Sequence, residues 1–253
     1  RFERLRATLG VRLDYFNLIE QEVVAAPRLS LSYALSDITN LNASIGRYHQ
    51  APSTIWLTAQ PANRSLSYVG VNQYVFGVDH LLRSDIKASL EAYYKRYTDY
   101  PASIDRPYLV LANTGAGFGG ADEGFASFGV DRLTSAGAGR AHGIELFLQK
   151  KSSDIPHYGL LSISYNRSEF RGLDGVYRPS SYDQRWIVNL GGGYLFSEKW
   201  EISTKFRVAS GRPYTPFNPD GTQSAALYNS KRIVANHSLD VRIDRRWMFQ
   251  NWA

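Results

Sequence analysis

Apolar and polar residues alternate along long stretches of this chain. In residues 5–15, Leu5, Ala7, Leu9, Val11, Leu13 and Tyr15 fall on one side of an extended backbone, opposite Arg6, Thr8, Gly10, Arg12 and Asp14. A period of two is the mark of a strand whose faces meet different surroundings. The same period returns at 28–35, at 41–48 and at 86–97, where Ile86, Ala88, Leu90, Ala92 and Tyr94 oppose Lys87, Ser89, Glu91, Tyr93 and Lys95. At 142–151, Ile144, Leu146 and Leu148 oppose Glu145, Phe147 and Gln149. Further strands are expected at 73–82, 158–167 (Leu161, Ile163), 186–196, 200–210 and 239–249. In the last two, Lys205 and Arg207 share the polar side, and Val241 and Ile243 oppose Asp240 and Arg242. The pattern predicts ten strands and no helix.

The connections are of two kinds in regular alternation. Short polar turns lie at "SDIT", "LRSD", "KSSDIPH" and "FSEK", whereas residues 47–71, 98–139, 167–184 and 210–236 form long segments rich in Gly, Pro, Asn and Tyr. A medium connection, "NLIEQEVVAAP", follows the first strand and belongs with the long ones when strands are counted in order. One end of the sheet therefore carries turns and the other carries loops.

Alternation alone leaves a soluble sandwich and a membrane barrel both open. Strand length separates them: soluble strands run to ~5–6 residues, whereas a tilted strand crossing a bilayer needs ~9–11. The alternation from Leu5 to Tyr15 covers the longer span. Asymmetric connections and rings near strand ends (Tyr15, Tyr94, Trp186, Tyr194, Phe196, Trp200, Trp247) favour the barrel too. The fold expected is all-β: an antiparallel up-and-down transmembrane β-barrel segment of about ten strands with short periplasmic turns and long extracellular loops.

In this arrangement Leu9, Val11, Leu90, Ile144, Leu146, Leu148, Leu161, Ile163, Val241 and Ile243 face lipid. Arg6, Arg12, Lys87, Glu91, Glu145, Gln149, Lys205, Arg207, Asp240 and Arg242 face a watery lumen. Glu91 and Glu145 share a face with Lys87, Lys95, Arg207 and Arg242, so lumenal ion pairing is expected for them.

Composition agrees with a folded β protein: 43% of the 253 residues are hydrophobic, 21% charged and 13% aromatic. No run approaches the ~20 apolar residues of a spanning helix. Cysteine is absent, which excludes disulfides, thiolate metal sites and a Cys nucleophile. The net charge of +6 comes from Lys and Arg scattered along strands, so no nucleic-acid partner is expected.

Candidate chemistry is sparse. "GAGFGG" at 115–120 fits G-x-G-x-x-G but lacks the preceding parallel strand and following helix, and reads as a loop. The five histidines show no ligand spacing, and neither a metal, a cofactor nor a catalytic arrangement is expected, although His49 and His142 at the loop end of their strands are candidates to meet around a solute. Ligand contact is placed on Arg47, Tyr48, His49, Gln50, Trp56, Arg140, His142, Arg212 and Tyr214, where cations and rings stand at the entrances to long loops. For Tyr48 and Trp56 the competing assignment is an outer aromatic girdle, and for Arg47 the surface sugar-phosphate layer. Pro213 and Pro216 beside Arg212 and Tyr214 mark a strand end.

"SIGRYHQAPS", "LEAYYKRYTDYP", "AHGIELFLQKK", "SGRPYTP" and "LDVRIDRRW" together resemble the C-terminal part of the barrel of TonB-dependent outer-membrane receptors. That resemblance implies a 22-stranded barrel around an N-terminal plug, energised through TonB. The chain shows neither plug nor TonB box, opens "RFERLRATLG" and ends "FQNWA", so residues 1–253 read as one partial barrel domain, a fragment without plug and last strands. The implied function is uptake of a large, scarce extracellular solute, with lipid, plug, remaining strands and TonB as partners. Together the loops at 47–71, 167–184 and 210–236 carry a modest positive excess, which points to an anionic ligand such as a ferric siderophore. The alternatives are a passive porin or small structural barrel, and a soluble carbohydrate-binding β domain with Trp56, Tyr97 and Tyr100 as a sugar platform.

Overall fold

The computed structural model describes residues 4–111 and 131–247. In chain order its strands are β1 (Leu5–Tyr15), β2 (Val23–Ser36), β3 (Thr39–Gln50), β4 (Val69–Arg83), β5 (Ile86–Ser103), β6 (Leu133–Lys150), β7 (His157–Arg171), β8 (Arg178–Pro179), β9 (Trp186–Leu195), β10 (Trp200–Ala209), β11 (Pro213–Tyr214), β12 (Lys231–Arg232) and β13 (Asn236–Arg245). The ten long ones are the ten expected from the alternation. They pair antiparallel in the order β1-β2-β3-β4-β5-β6-β7-β9-β10-β13, with β8 beside β7 and β11 paired separately with β12. Chain neighbours are thus sheet neighbours throughout, an up-and-down meander. Its two edges, β1 and β13, do not pair with each other, so the sheet is open.

Several strands run further into the loops than expected. β5 and β6 each have 18 residues and β4 and β7 each have 15. The loops accordingly shorten to 51–68, 104–132, 172–185 and 210–235 around the small β8 and β11–β12 pieces. The strand expected at 239–249 instead starts at Asn236 and ends at Arg245. A short helix, α1 (Thr54–Ala59), and a 3-10 turn over Pro61–Ser65 corrects the expectation of no helix. Six residues are too few to show a 3.6 period, and tertiary burial of Leu57 holds the helix in place. The glycine-rich stretch 115–120 lies outside the described residues, as does the end of the chain from Met248, which includes the last two residues of the strand expected at 239–249.

Register fixes the faces, because residues directly opposite in adjacent strands point the same way. One row reads Leu5, Tyr33, Leu41, Val78, Leu90, Leu146, Ile163, Val188 and Val208 from β1 to β10. The row on the turn side of it contains Leu148, Leu161, Leu190, Phe206 and Leu239. The opposite face reads Arg6, Ser32, Asn42, Gly77, Glu91, Glu145 and Ser164. Gln149 lies opposite Lys87, and Lys205 opposite Asp240, on that same polar face.

The apolar face has no protein cover. Leu9 is 78% exposed, Val11 66%, Ile144 53% and Ile243 66%. A sandwich would bury these residues under a second sheet. The rings gather in two bands on that face: Tyr74, Tyr94, Tyr165 and Trp186 towards the loops, and Tyr194, Trp200 and Trp247 towards the turns. The arrangement is that of a transmembrane barrel wall. Among the described residues no helix is long and apolar enough to cross a membrane.

The buried hydrophobic core lies at the loop end instead. Ile19, Leu57, Leu66, Tyr68, Leu109, Leu111 and Leu133 pack with Val24. Asn63, fully buried, ties this cap together: its amide nitrogen donates to the carbonyls of Trp56 and Asp131, and its Oδ1 accepts from Leu133 N–H at 2.8 Å. The turn end has a smaller hub, where Asp85 accepts from Lys150 Nζ at 3.0 Å and Ser153 Oγ at 2.9 Å.

Candidate functional site at the loop end

The candidate residues do not converge on one point. Tyr48 faces the polar side, where Arg28 stacks over its ring at 4.4 Å and a Cβ at Gly46 would press on it. Arg47 and His49 continue the side of Ile45, the apolar face, and so do Arg140 and His142 on β6. This parity was readable in the sequence by carrying the alternation from Ile45 to Arg47, and from Ile144 back to His142 and Arg140.

Arg47 is held by three acceptors on its own face: His49 Nε2 at 3.1 Å, Asn72 Oδ1 at 3.1 Å and Thr98 Oγ1 at 3.1 Å. His49 and His142 do not meet. β4 and β5 stand between their strands, and His142 is level with Ile45 rather than with His49. Gln50 ends β3 exposed, and Trp56 packs partly buried against the cap core. Arg212 and Tyr214 sit apart, on the β11–β12 ribbon, with Arg212 over the Tyr182 ring at 5.8 Å and Tyr214 42% exposed.

Trp56, Tyr97 and Tyr100 do not form a sugar platform. Tyr97 and Tyr100 close a three-ring cluster with Phe170, at centroid distances of 5.7, 5.2 and 5.0 Å. A bulge brings them together: Asp99 adopts a left-handed φ of 60°, and the pairing with β6 shifts between Tyr97 and Tyr100. Gly139 lies under the Phe170 ring, where a Cβ would come within 2.3 Å of it. Trp56 belongs to the cap core instead, away from this cluster.

The expected ion pairing of Glu91 and Glu145 is not formed. Register sets the two carboxylates directly opposite each other, flanked by Gly77 and Ser164, and neither makes an ion pair among the described residues. The pairs that do form on this face include Lys87 with Asp79 at 3.2 Å and Arg242 with Asp244 at 2.7 Å. Much of the rest of the face is small and polar, including Ser30, Ser32, Asn42, Ser44, Ser162 and Ser164. Such a surface suits water or a wet interface.

Sequence reasoning missed the residues that hold the mouth in shape. Asp183 is fully buried and accepts from Ser168 N–H at 2.8 Å and from Arg232, with Arg185 at 3.6 Å. Arg106 and Ser103 both donate to Asp131, at 2.5 and 2.7 Å. The guanidinium of Arg132, bonded to Asp105, holds that carboxyl below its usual range. Burial raises the Tyr68 phenol above its ordinary value, and its hydroxyl donates to the Glu22 carbonyl at 3.0 Å. Apart from Asp183 with Arg185, these pairs are separated by fifteen or more residues, so no motif announces them.

Among the described residues no group of His, Cys, Asp and Glu could hold a metal ion. What the loop end offers is a preformed cap and a mouth with exposed cations such as Arg212 and Lys231. That combination can bind a solute, above all an anionic one.

The sequence matches the family described as "TonB dependent receptor-like, beta-barrel" over residues 1–252. No curated protein sequence matches. Among solved structures, the FrpB iron transporter of Neisseria meningitidis is similar with a TM-score of 0.64 at 11% identity, over 97% of this chain and 36% of that one. The ferric-catecholate import receptor Fiu of E. coli K12 gives 0.65 at 9% identity, over 96% and 36%. The ferripyoverdine receptor of Pseudomonas aeruginosa gives 0.66 at 13%, over 95% and 30%. The chain spans about a third of the length of these proteins.

Proposed function

The chain belongs to the TonB-dependent receptor-like β-barrel family, and on that premise we propose that it forms part of the wall and mouth of an outer-membrane active transporter. The observation that carries this reading is the pairing of an uncovered apolar face with a small-residue polar face on one meander, under a packed cap at one end only. Lipid covers the first face. The second lines the lumen, where a plug domain of the full receptor packs against its serines and asparagines. The turns are periplasmic and the loops extracellular. TonB acts through the plug, and the barrel wall performs no chemistry on the solute.

The solute is large, scarce and anionic, a ferric siderophore being the leading class. Two features support this: the positive excess of the loops, and the iron, ferric-catecholate and ferripyoverdine cargoes named for the similar structures. Arg212 and Tyr214, exposed on the β11–β12 ribbon, are the contacts best placed to meet it from outside.

The test is uptake of radiolabelled ferric siderophores by cells with and without the full receptor, each with and without TonB. Uptake that needs both is expected, with Arg212→Ala weakening ligand binding while leaving assembly intact. Uptake that proceeds without TonB would make the barrel a passive pore.

A further inference from the structure

The polar face of β10 carries two cations that no described carboxylate neutralises. Lys205 and Arg207 alternate onto that face, and both are exposed. Asp240 stands directly opposite Lys205 on β13, and Ser238 opposite Arg207, yet neither cation forms an ion pair or a side-chain hydrogen bond among the described residues. By contrast Arg28 and Lys95, also on this face, lie over the rings of Tyr48 and Tyr93 at 4.4 and 5.1 Å. Beyond Ala209 the chain of β10 runs on to Arg212 and the β11–β12 ribbon, so three cations follow one line of chain from the lumen to the mouth. Arg232 fixes the head of that line, donating to the Asp183 carboxylate and, at 3.1 Å, to the Gly211 carbonyl.

Room opens beside these cations. Gly191 lies directly opposite Lys205, and the same row continues through Leu160 on β7 to Gln149 on β6. Asn189 lies opposite Arg207, and Ser203 precedes Lys205 by two residues on the same face. Gln149, Leu160, Asn189, Gly191, Ser203 and Lys205 line a concavity of about 300 Å³. Its four polar side chains have no partner among the described residues. They offer an ammonium, two amides and a hydroxyl around the apolar Leu160, a composition that suits an anion with an apolar body. A Cβ at Gly191 would meet only Leu160 and the Thr204 carbonyl, both at 3.8 Å, so this glycine leaves open space. Three strands away Glu145 faces Glu91 without an ion pair, so one part of the wall repels an anion and the β10 part attracts it.

We infer that Lys205 and Arg207 form a second solute station inside the lumen, which takes an anion with an apolar body handed on from the mouth. The inference rests on the transporter reading and concerns the step after mouth binding, once the plug has given way. The two cations meet the anionic groups, the guanidinium taking two oxygens at once. Gln149, Asn189 and Ser203 meet the hydrogen-bonding groups, and Leu160 the apolar part. Asp240 keeps the station weak, because a carboxylate beside Lys205 opposes a bound anion. A site of passage needs that balance, with attraction enough to enter and little enough to leave.

The experiment uses the full receptor in energised cells, with a tritiated ferric tris-catecholate as the anionic probe. A genetically encoded benzophenone side chain replaces Gly191 or, as the reference position on the same face of β3, Ser44. The adduct formed on illumination is normalised to probe bound at the surface in the cold, which corrects for receptor amount and assembly. Cross-linking at position 191 well above that at position 44 is expected, and only in cells with TonB. Lys205→Gln together with Arg207→Gln should lower it about fivefold, Lys205→Arg should keep most of it, and Asp240→Asn should raise it. Equal cross-linking at the two positions would overturn the station, and so would indifference to the charge changes. Cross-linking at position 191 without TonB would overturn its place after the movement of the plug. A wild type that shows no TonB-dependent uptake of the probe would instead overturn the transport reading on which the station rests.

Discussion

The strand wall and the loop-end cap of this chain are built on opposite principles. In the wall, large side chains such as Leu9, Leu13 and Val241 stand open on one face, and no layer of protein packs on them. In the cap, Leu57, Leu66, Leu109 and Leu133 are buried to 4% exposure or less and packed as in a soluble protein. The wall is an incomplete structure whose missing partner is hydrocarbon, while the cap is a small core packed from loops and the loop-side ends of β2 and β6. Stability in the first comes from ladder hydrogen bonds that lipid cannot replace, and in the second from burial.

The contrast is broken most strongly by a charge on the wall. Leu146 lies between Leu90 and Ile163 on the apolar face, and Leu146→Arg in the full receptor is expected to cost about 2–4 kcal/mol if it sits near the bilayer midplane. Gln149→Arg, three residues along the same strand but on the other face, should stay within about 0.5 kcal/mol. Reversible denaturant unfolding from lipid bilayers measures both.

The cap has its own weak point. Asn63→Ala removes three hydrogen bonds at a fully buried site and leaves the Leu133 N–H without its acceptor. A loss of about 1–3 kcal/mol is expected. Amide exchange should quicken over 54–66 and at Leu133 and stay unchanged over 144–149, where the strand is held by its ladder partners on β5 and β7.

The smallest effect belongs to the turn end. Hydrogen bonds from Lys150 and then Ser153 hold the Asp85 carboxyl at about 2, below its ordinary 3.8, with Arg83 assisting. A carboxylate depressed in the folded state stabilises fully above its unfolded value and loses that contribution as pH falls through the folded one. The turn should therefore weaken between about pH 4 and pH 2. Asp85→Asn should flatten that stretch of the pH profile, read as cutting within 151–156 by pepsin, an aspartic protease active across that range.

The wall was legible in the sequence for the reason that makes it unusual. A face that meets lipid tolerates no break in its alternation, so Leu5 to Tyr15 or Ile144 to Leu148 declare both strand and orientation. The turns were legible too, being short and polar. The cap was not, because Asn63 reaches Asp131 and Leu133 across about seventy residues of chain, and no local pattern encodes that contact. Tyr97 and Tyr100 escaped for a different reason: simple alternation puts them on opposite faces, and the bulge at Asp99 reverses that. Arg47, Arg140 and His142 were found as polar residues near loops, but their outward side followed only from carrying the parity beyond Ile45 and Ile144.

The central claim is that the apolar face of this sheet meets lipid, and β6 tests it most directly. Residues 1–253 contain no cysteine, so single cysteines can be placed from 144 to 149, spin-labelled in a full receptor freed of any cysteine elsewhere, and reconstituted into bilayers. The account predicts high accessibility to oxygen dissolved in lipid at 144, 146 and 148, and to a water-soluble nickel chelate at 145, 147 and 149. Uniform accessibility, or the reverse alternation, would contradict it.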